Sequence, residues 1–260
     1  MQSLTINNLF SVAGKTVVVT GGSRGIGLMI AQTFVENGAK VYISSRKAEV
    51  CNAVAAKLSE IGTCLSVPAD LSTEEGRTAL VNAIKENEDE LHVLVNNAGA
   101  SWGAPFASHP ESGYDKVLGI NVKSIFFLTQ NLLPLLEKGG SKTDPARVIN
   151  VGSIDGIKIS PMDNIPYGTS KAAVHHLTKG LAIKLGGKNI TVNAIAPGPF
   201  ESKMTKTLLD SFQEQIERSC PLGRIGQPQD MGGIAVFLSS AAGSYLNGAV
   251  IPVDGGIHLT

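Results

Sequence analysis

Seven short runs rich in β-branched and apolar residues recur along the chain: Thr16–Thr20, Lys40–Ser44, Thr63–Val67, His92–Asn96, Arg147–Val151, Ile190–Ala194 and Ala249–Val253. They are continuously apolar rather than alternating, as strands covered on both faces should be. Longer amphipathic stretches separate them, at 25–37, 47–61, 73–87, 112–137, 167–186 and 228–240. Thr73 followed by Glu74 and Glu75 has the pattern of a helix start. Such an alternation predicts an α/β fold, a doubly wound parallel sheet with helices on both faces. No repeat, low-complexity tract or Pro/Ser linker interrupts it, so residues 1–260 read as a single domain. Only residues 200–227 break the rhythm, and about 200–222 read as a segment lying over a site.

Charge and cysteine content narrow the function. The 22 Lys and Arg residues balance the 22 Asp and Glu residues. Zero net charge argues against a nucleic-acid or anionic-membrane partner held by bulk electrostatics. Cys51, Cys64 and Cys220 are scattered, with no ligand spacing, so no metal is expected and the thiols suit a reducing compartment. The first residues lack a basic stretch followed by an apolar core, and no apolar run approaches the ~18 residues of a membrane span. The expectation is a soluble, cytoplasmic protein without a membrane partner.

The first strand runs into Gly21-Gly22-Ser23-Arg24-Gly25-Ile26-Gly27, and a helix follows. Gly21 permits a tight turn. Gly25 and Gly27 let a pyrophosphate approach the backbone, and the helix N-terminus offers it free N–H groups. A glycine triplet alone is weak, but strand–turn–helix is the context that dinucleotide binding demands. An NAD site usually carries Asp or Glu at the end of the second strand. Here Ser44, Ser45 and Arg46 stand there instead, with Arg24 on the loop. Hydroxyl and guanidinium groups suit a 2′-phosphate, so NADP(H) is the expected cofactor.

Tyr167 and Lys171 share one helical face at i, i+4 spacing. A phenol of pKa near 10 is a poor acid–base catalyst at neutral pH, and a nearby ammonium lowers that value. Ser153 follows the strand Arg147–Val151. Asn96-Asn97-Ala98-Gly99 and Pro197-Gly198 follow the fourth and sixth strands. All would gather at the carboxyl edge of a parallel sheet, where ligands bind.

With TGGSRGIG (20–27), ADLS (69–72), NNAG (96–99), Asn121 in GINVKS, Ser153, Tyr167/Lys171, PG (197–198), PLGRIGQPQD (221–230) and VDGG (253–256), the chain resembles the short-chain dehydrogenase/reductase family. The likeness runs from Gly14 to His258. Within the family, NNAGASWGAPF, LLPLL (132–136), ARVINVGS, APGPFESKMT and VIPVDGGIHL are most like the β-ketoacyl reductases associated with rhamnolipid synthesis. The resemblance implies a Rossmann fold, an NADP(H)-dependent carbonyl reductase and commonly a homotetramer. It implies that Tyr167 donates the proton, Ser153 hydrogen-bonds the carbonyl oxygen, Lys171 holds the nicotinamide ribose and lowers the Tyr167 pKa, and Asn121 positions a water. The cofactor surface it implies consists of Gly21, Ser23, Arg24, Gly25, Ile26, Gly27, Ser45, Arg46, Asp70, Leu71, Asn97, Ala98, Gly99, Tyr167, Lys171, Pro197, Gly198, Phe200 and Ser202. Asp70 would touch adenine and Asn97 the adenosine ribose region.

The sequence departs from the family pattern at three places. Ser202 stands where Thr is common, Pro199 stiffens the segment after the sixth strand, and Asp155 is acidic where many relatives are apolar. Asp155 reads as solvated or turn-capping, or else as facing the substrate. Trp102, Phe106, Phe200, Met204 and Leu208 could form an apolar wall near the nicotinamide end. Trp102 serves equally well as core. Met204, Leu208, Leu209 and Phe212 have helical spacing, expected of a mobile lid or of a helix over the core. His175 and His176 read as packing or subunit-contact residues. The expected substrate is a small carbonyl compound, foremost a 3-oxoacyl thioester. A polyol, sugar or natural-product ketone is the alternative. Two readings of another class, an idle nucleotide sensor and a structural subunit, sit poorly with intact Ser153, Tyr167, Lys171 and Asn121.

Overall fold

The computed structural model describes residues 4–260, the side chains of 207 and 208 excepted. It opens with a short helix, α1 (Ile6–Phe10), too brief for a periodic pattern to reveal it. The chain then alternates: β1 (Thr16–Thr20), α2 (Gly25–Glu36), β2 (Lys40–Ser44), α3 (Ala48–Leu58), β3 (Thr63–Ser66), α4 (Glu74–Asn87) and β4 (Val93–Asn96). The second half runs α5 (Glu111–Leu118), α6 (Ser124–Gly139), β5 (Ala146–Val151), α7 (Ile165–Leu185), β6 (Ile190–Pro197), α8 (Lys206–Ser219), α9 (Pro228–Ser239) and β7 (Val250–Val253).

The strands form one seven-stranded sheet in the order β3-β2-β1-β4-β5-β6-β7, and every pairing is parallel. Successive residues of β1 enter opposite cores, as the period of two requires. Val17 and Val19 pack with α2, α3 and α9 through Phe34, Cys51 and Met231. Val18 packs on the other face with α4, α6 and α7 through Leu80, Leu132 and Ala182. Both faces are thus sealed by helices, which is why the strands read as unbroken apolar runs.

The helix expected over 112–137 differs from a plain α-helix. Between α5 and α6, residues Gly119–Lys123 form a π-helical turn, with the Ser124 N–H bonded to the Gly119 carbonyl. The spacing of π and α turns is too similar for a hydrophobic pattern to separate them. The strand order reverses direction between β1 and β4, which places a crevice at their carboxyl ends.

Candidate active site

At that crevice, Thr20 leads into the glycine turn. Gly21 and Gly25 have φ of +66° and +51°, which favour glycine. A Cβ on Gly27 would lie 2.3 Å from the Gly21 carbonyl oxygen and 2.4 Å from Asn97 Nδ2, so only glycine lets α2 start this close to β1. Arg24, the residue before α2, makes no side-chain cap, which leaves the first N–H groups of that helix to an anion. Ser23 is buried, while Arg24 and Arg46 are exposed on the two arms of the crevice. A bare backbone cradle with two exposed guanidiniums beside it fits a phosphate-bearing dinucleotide.

The Asn97 side chain is engaged by the protein itself. Its Nδ2 donates to the carbonyls of Thr20 (2.8 Å) and Gly21 (3.3 Å). The N–H groups of Asn97 and Ala98 both donate to Thr20 Oγ1 at 2.9 Å. The side-chain amide thus pins the glycine turn, and only what remains of the residue can meet a ribose. Asp70, beside the buried Leu71, is held by the Ser72 N–H (3.0 Å) and hydroxyl (2.6 Å). Burial acts to raise its pKa, but the Ser72 bonds and the charges of Arg46 and Lys116 prevail and hold it below the ordinary carboxylate value.

The other cluster forms around α7. Asn164 precedes the helix, and Tyr167 and Lys171 sit on its first turns. The Lys171 side chain is buried; its Nζ donates to the Val151 carbonyl at 2.8 Å and lies 5.5 Å from the centre of the Tyr167 ring. Ser153 follows β5, and its Oγ accepts the Asp155 N–H at 3.1 Å. Asn121, fully buried on the π-helical turn, is bound on three sides. Its Oδ1 accepts the Ala100 N–H (2.9 Å), and its Nδ2 donates to the Ala100 carbonyl (2.9 Å) and to Ser170 Oγ (2.8 Å). Ser170 in turn donates to the Tyr167 carbonyl at 2.7 Å. A Cβ on Gly99 would lie 3.0 Å from Asn121 Oδ1, so the turn after β4 also closes on this cluster. Spacing did not single out Ser170. Asn164, standing before Ile-Pro at a helix start, had the pattern of an N-cap and could have been found.

The charge balance corrects one expectation. Tyr167 is not lowered. Burial pushes its phenol up to about 12, the Ser153 hydroxyl opposes that rise, and the Asp155 charge adds to it. The Lys171 amine points at Val151 rather than at the phenol, and burial pushes its own pKa down to about 8.

The segment after β6 also departs from the expected wall. The Gly198 N–H bonds the Val253 carbonyl (3.0 Å), which fixes the Pro197–Gly198 turn against the end of β7. Phe200 is only 2% exposed and enters the core with Ile195 and Met231. A Cβ on Gly226 would lie 2.2 Å from its ring, so the slot exists only because glycine stands there. Phe200 can therefore meet a cofactor through its backbone but cannot wall the pocket. Phe106 is 83% exposed in a short 3-10 turn. Trp102 packs against Gly113, with Lys116 Nζ 5.1 Å from its ring centre. Ser202 lies against the glycine turn, 3.0 Å from where a Gly25 Cβ would stand. Residues 206–219 are helical, as the spacing allowed, except for a kink at Phe212 (φ −138°, ψ 16°); Leu209 is buried while Met204 and Phe212 are half exposed. The Leu208 side chain lies outside the described residues. A cavity of about 440 Å³ opens between α8 and the end of β7, reaching Cys220, Arg224 and Asp254. His175 is buried on α7 against Gly152 and Gly156, whereas His176 is exposed.

A glycine cradle at the switch point and a Ser–Tyr–Lys cluster one strand further along define a dinucleotide-dependent oxidoreductase. A family model described as enoyl-(acyl carrier protein) reductase matches residues 21–258. The rhamnolipids biosynthesis 3-oxoacyl-[acyl-carrier-protein] reductase of Pseudomonas aeruginosa is 50% identical over 252 residues, covering 96% of this chain and 98% of that one. The 5-keto-D-gluconate 5-reductase of Escherichia coli K12 is 35% identical over 256 residues, covering 97% and 98%. The solved complex of Pseudomonas aeruginosa RhlG with NADP superposes with a TM-score of 0.94 at 49% identity, over 96% of this chain and 99% of that one. The chain belongs to the short-chain dehydrogenase/reductase family, the NAD(P)(H)-dependent oxidoreductases of this fold.

Proposed function

We propose that this chain is an NADPH-dependent reductase that converts the ketone of a 3-oxoacyl thioester into a secondary alcohol. The observation that carries the reading is 50% identity, along nearly the whole chain, to a 3-oxoacyl-[acyl-carrier-protein] reductase. Ser153, Tyr167 and Lys171 on adjoining turns support it. When bound, the reduced nicotinamide supplies a hydride to the carbonyl carbon. Tyr167 donates its phenolic proton to the oxygen, so hydride and proton together make the alcohol. Ser153 Oγ already accepts the Asp155 N–H, which frees its own hydrogen for the carbonyl oxygen as negative charge develops there. Lys171 would hold the nicotinamide ribose. Asn121, locked to Ala100 and Ser170, keeps the backbone of the π-helical turn in place for a water. Gly21, Ser23, Gly25, Ile26 and Gly27 would hold the pyrophosphate, with residues 200–222 covering the substrate. A homotetramer in the cytoplasm completes the reading on family resemblance; sedimentation of the purified protein tests the assembly. No helix among the described residues is long and apolar enough to cross a membrane.

Cofactor choice is tested at the end of β2. Arg24, Ser45 and Arg46 stand there without a carboxylate. A hydrogen bond to a charged group is worth about 1.5–3 kcal/mol, so Arg46→Ala should raise the apparent NADPH constant by about tenfold or more and leave NADH nearly unchanged. Equal kcat/KM for the two cofactors in the unmutated protein would sink the NADPH assignment.

The substrate is tested with 3-oxoacyl thioesters of about four to ten carbons. Each buried methylene is worth about 0.8 kcal/mol, so kcat/KM should climb by up to about fourfold per carbon until the pocket fills. A second reading, reduction of a polyhydroxy ketone, draws on the 35% identity to a 5-keto-D-gluconate reductase and on the carboxylate of Asp155. A flat or falling series, with better turnover of 5-keto-gluconate, would select it. Turnover of an enoyl thioester alone would reject both.

A further inference from the structure

Asp155 is half-buried at the site. It is the middle residue of a 3-10 turn, Ile154–Gly156, that follows β5 and leans on α7. Two glycines permit the approach. A Cβ on Gly156 would lie 2.6 Å from the Lys171 carbonyl carbon and 2.8 Å from His175 Cε1. One on Gly168 would lie 3.1 Å from the Asp155 carbonyl oxygen. The turn is therefore wedged against the stretch of α7 that carries Tyr167 and Lys171.

Two hydrogen bonds fix it there. The Asp155 N–H donates to Ser153 Oγ at 3.1 Å, and Asn164 Nδ2 donates to Asp155 Oδ2 at 3.4 Å. Asn164 is buried, and its carbonyl accepts the N–H groups of Tyr167 (2.8 Å) and Gly168 (3.3 Å). Asp155 thus reaches the mountings of both Ser153 and Tyr167. Its carboxylate forms no ion pair among the described residues. Lys158, the cation on its own loop, spends its Nζ on the carbonyls of Ile257 (3.0 Å) and Thr260 (2.7 Å). The titratable groups around the turn are Tyr167, Lys171 and His175 from α7 and Lys158 from the loop. Burial pushes the Asp155 carboxyl above its ordinary value, and the Asn164 amide, then the charges of Lys171 and Lys158, oppose that rise; the Asp155 charge in turn favours the Lys171 ammonium.

We infer that Asp155 is a positioning residue that ties Ser153 to the start of the Tyr167 helix and keeps a negative charge beside the Lys171 ammonium. The purpose of that charge rests on the reductase reading, because reduction needs Tyr167 protonated and Lys171 charged. A negative neighbour favours the protonated form of both groups. Removing it lets both lose their protons at lower pH.

The test needs no substrate. In cofactor-free protein carrying 13C-labelled lysine, Lys171 is identified by the resonance missing from Lys171→Met. It should titrate near 8 in the unmutated chain. In Asp155→Asn the midpoint should fall by about half a unit or more, and the alkaline limb of kcat/KM for ketone reduction should move to lower pH by a like amount. Asn164→Ala keeps the charge and loses the tie. Its Lys171 midpoint should hold while kcat drops by about threefold or more at constant KM. An unchanged midpoint in Asp155→Asn overturns the inference; if that variant does not fold, Asp155→Ser gives the same comparison. Failure of the unmutated protein to reduce any ketone would overturn the reductase reading instead, and the lysine titration would still decide the charge.

Discussion

Replacing Tyr167 with Phe should lower kcat by about 10²–10⁴-fold, the usual worth of general acid–base catalysis. The substitution keeps the ring and its packing on α7 and removes only the hydroxyl. Cofactor binding, followed by nicotinamide fluorescence, should survive, which separates loss of the acid from loss of the site. Burial holds the phenol protonated up to about 12 in the free protein, so the acid is fully present at neutral pH and is lost only as pH rises. Reduction should therefore show no loss from this group below neutrality, and the residual rate of the Phe variant should keep the alkaline limb that follows Lys171. Normal turnover by Tyr167→Phe would remove Tyr167 from the mechanism.

Phe200→Ala should act mainly on stability. The ring is sealed among core residues and over Gly226, where truncation leaves a cavity. Phe-to-Ala changes in such places cost about 3–5 kcal/mol. For a chain of this length that corresponds to a fall in Tm of roughly 6–10 °C. A calorimetric scan decides between core and pocket. A selective rise in substrate KM with Tm unmoved would return Phe200 to the pocket wall.

Why the sequence placed that residue wrongly is instructive. Phe200 follows the end of β6 and is apolar, which suits a wall and a core equally. What turns it inward is the missing side chain of Gly226, a residue distant in sequence whose relation to Phe200 appears only after folding. The strands were legible because burial on both faces writes itself as unbroken apolar runs. The glycine turn was legible because a strand precedes it and a helix follows. The spacing of Tyr167 and Lys171 told truly that they share a face of α7. It could not tell how deeply the phenol is buried, and the expected lowering failed on that burial. The resemblance put Asn97 near the adenosine ribose; that its amide also holds the protein's own glycine turn is visible only after folding. Asp155 was visible as an oddity, and its neighbours Asn164 and Gly168 became meaningful only in three dimensions.

The π-helical turn at Gly119–Lys123 makes the local reading frame of the fold unforgiving. It holds one residue more than an α-helical turn, and that surplus aims Asn121 at Ala100 and Ser170 while the leucines of α6 still meet the sheet. Loss of a single codon there would restore ordinary helical register and rotate one half of the helix against the other by about 100°. Either Asn121 or the leucine face of α6 could then keep its place, but not both. Residues 111–139 should tolerate hardly any change in length.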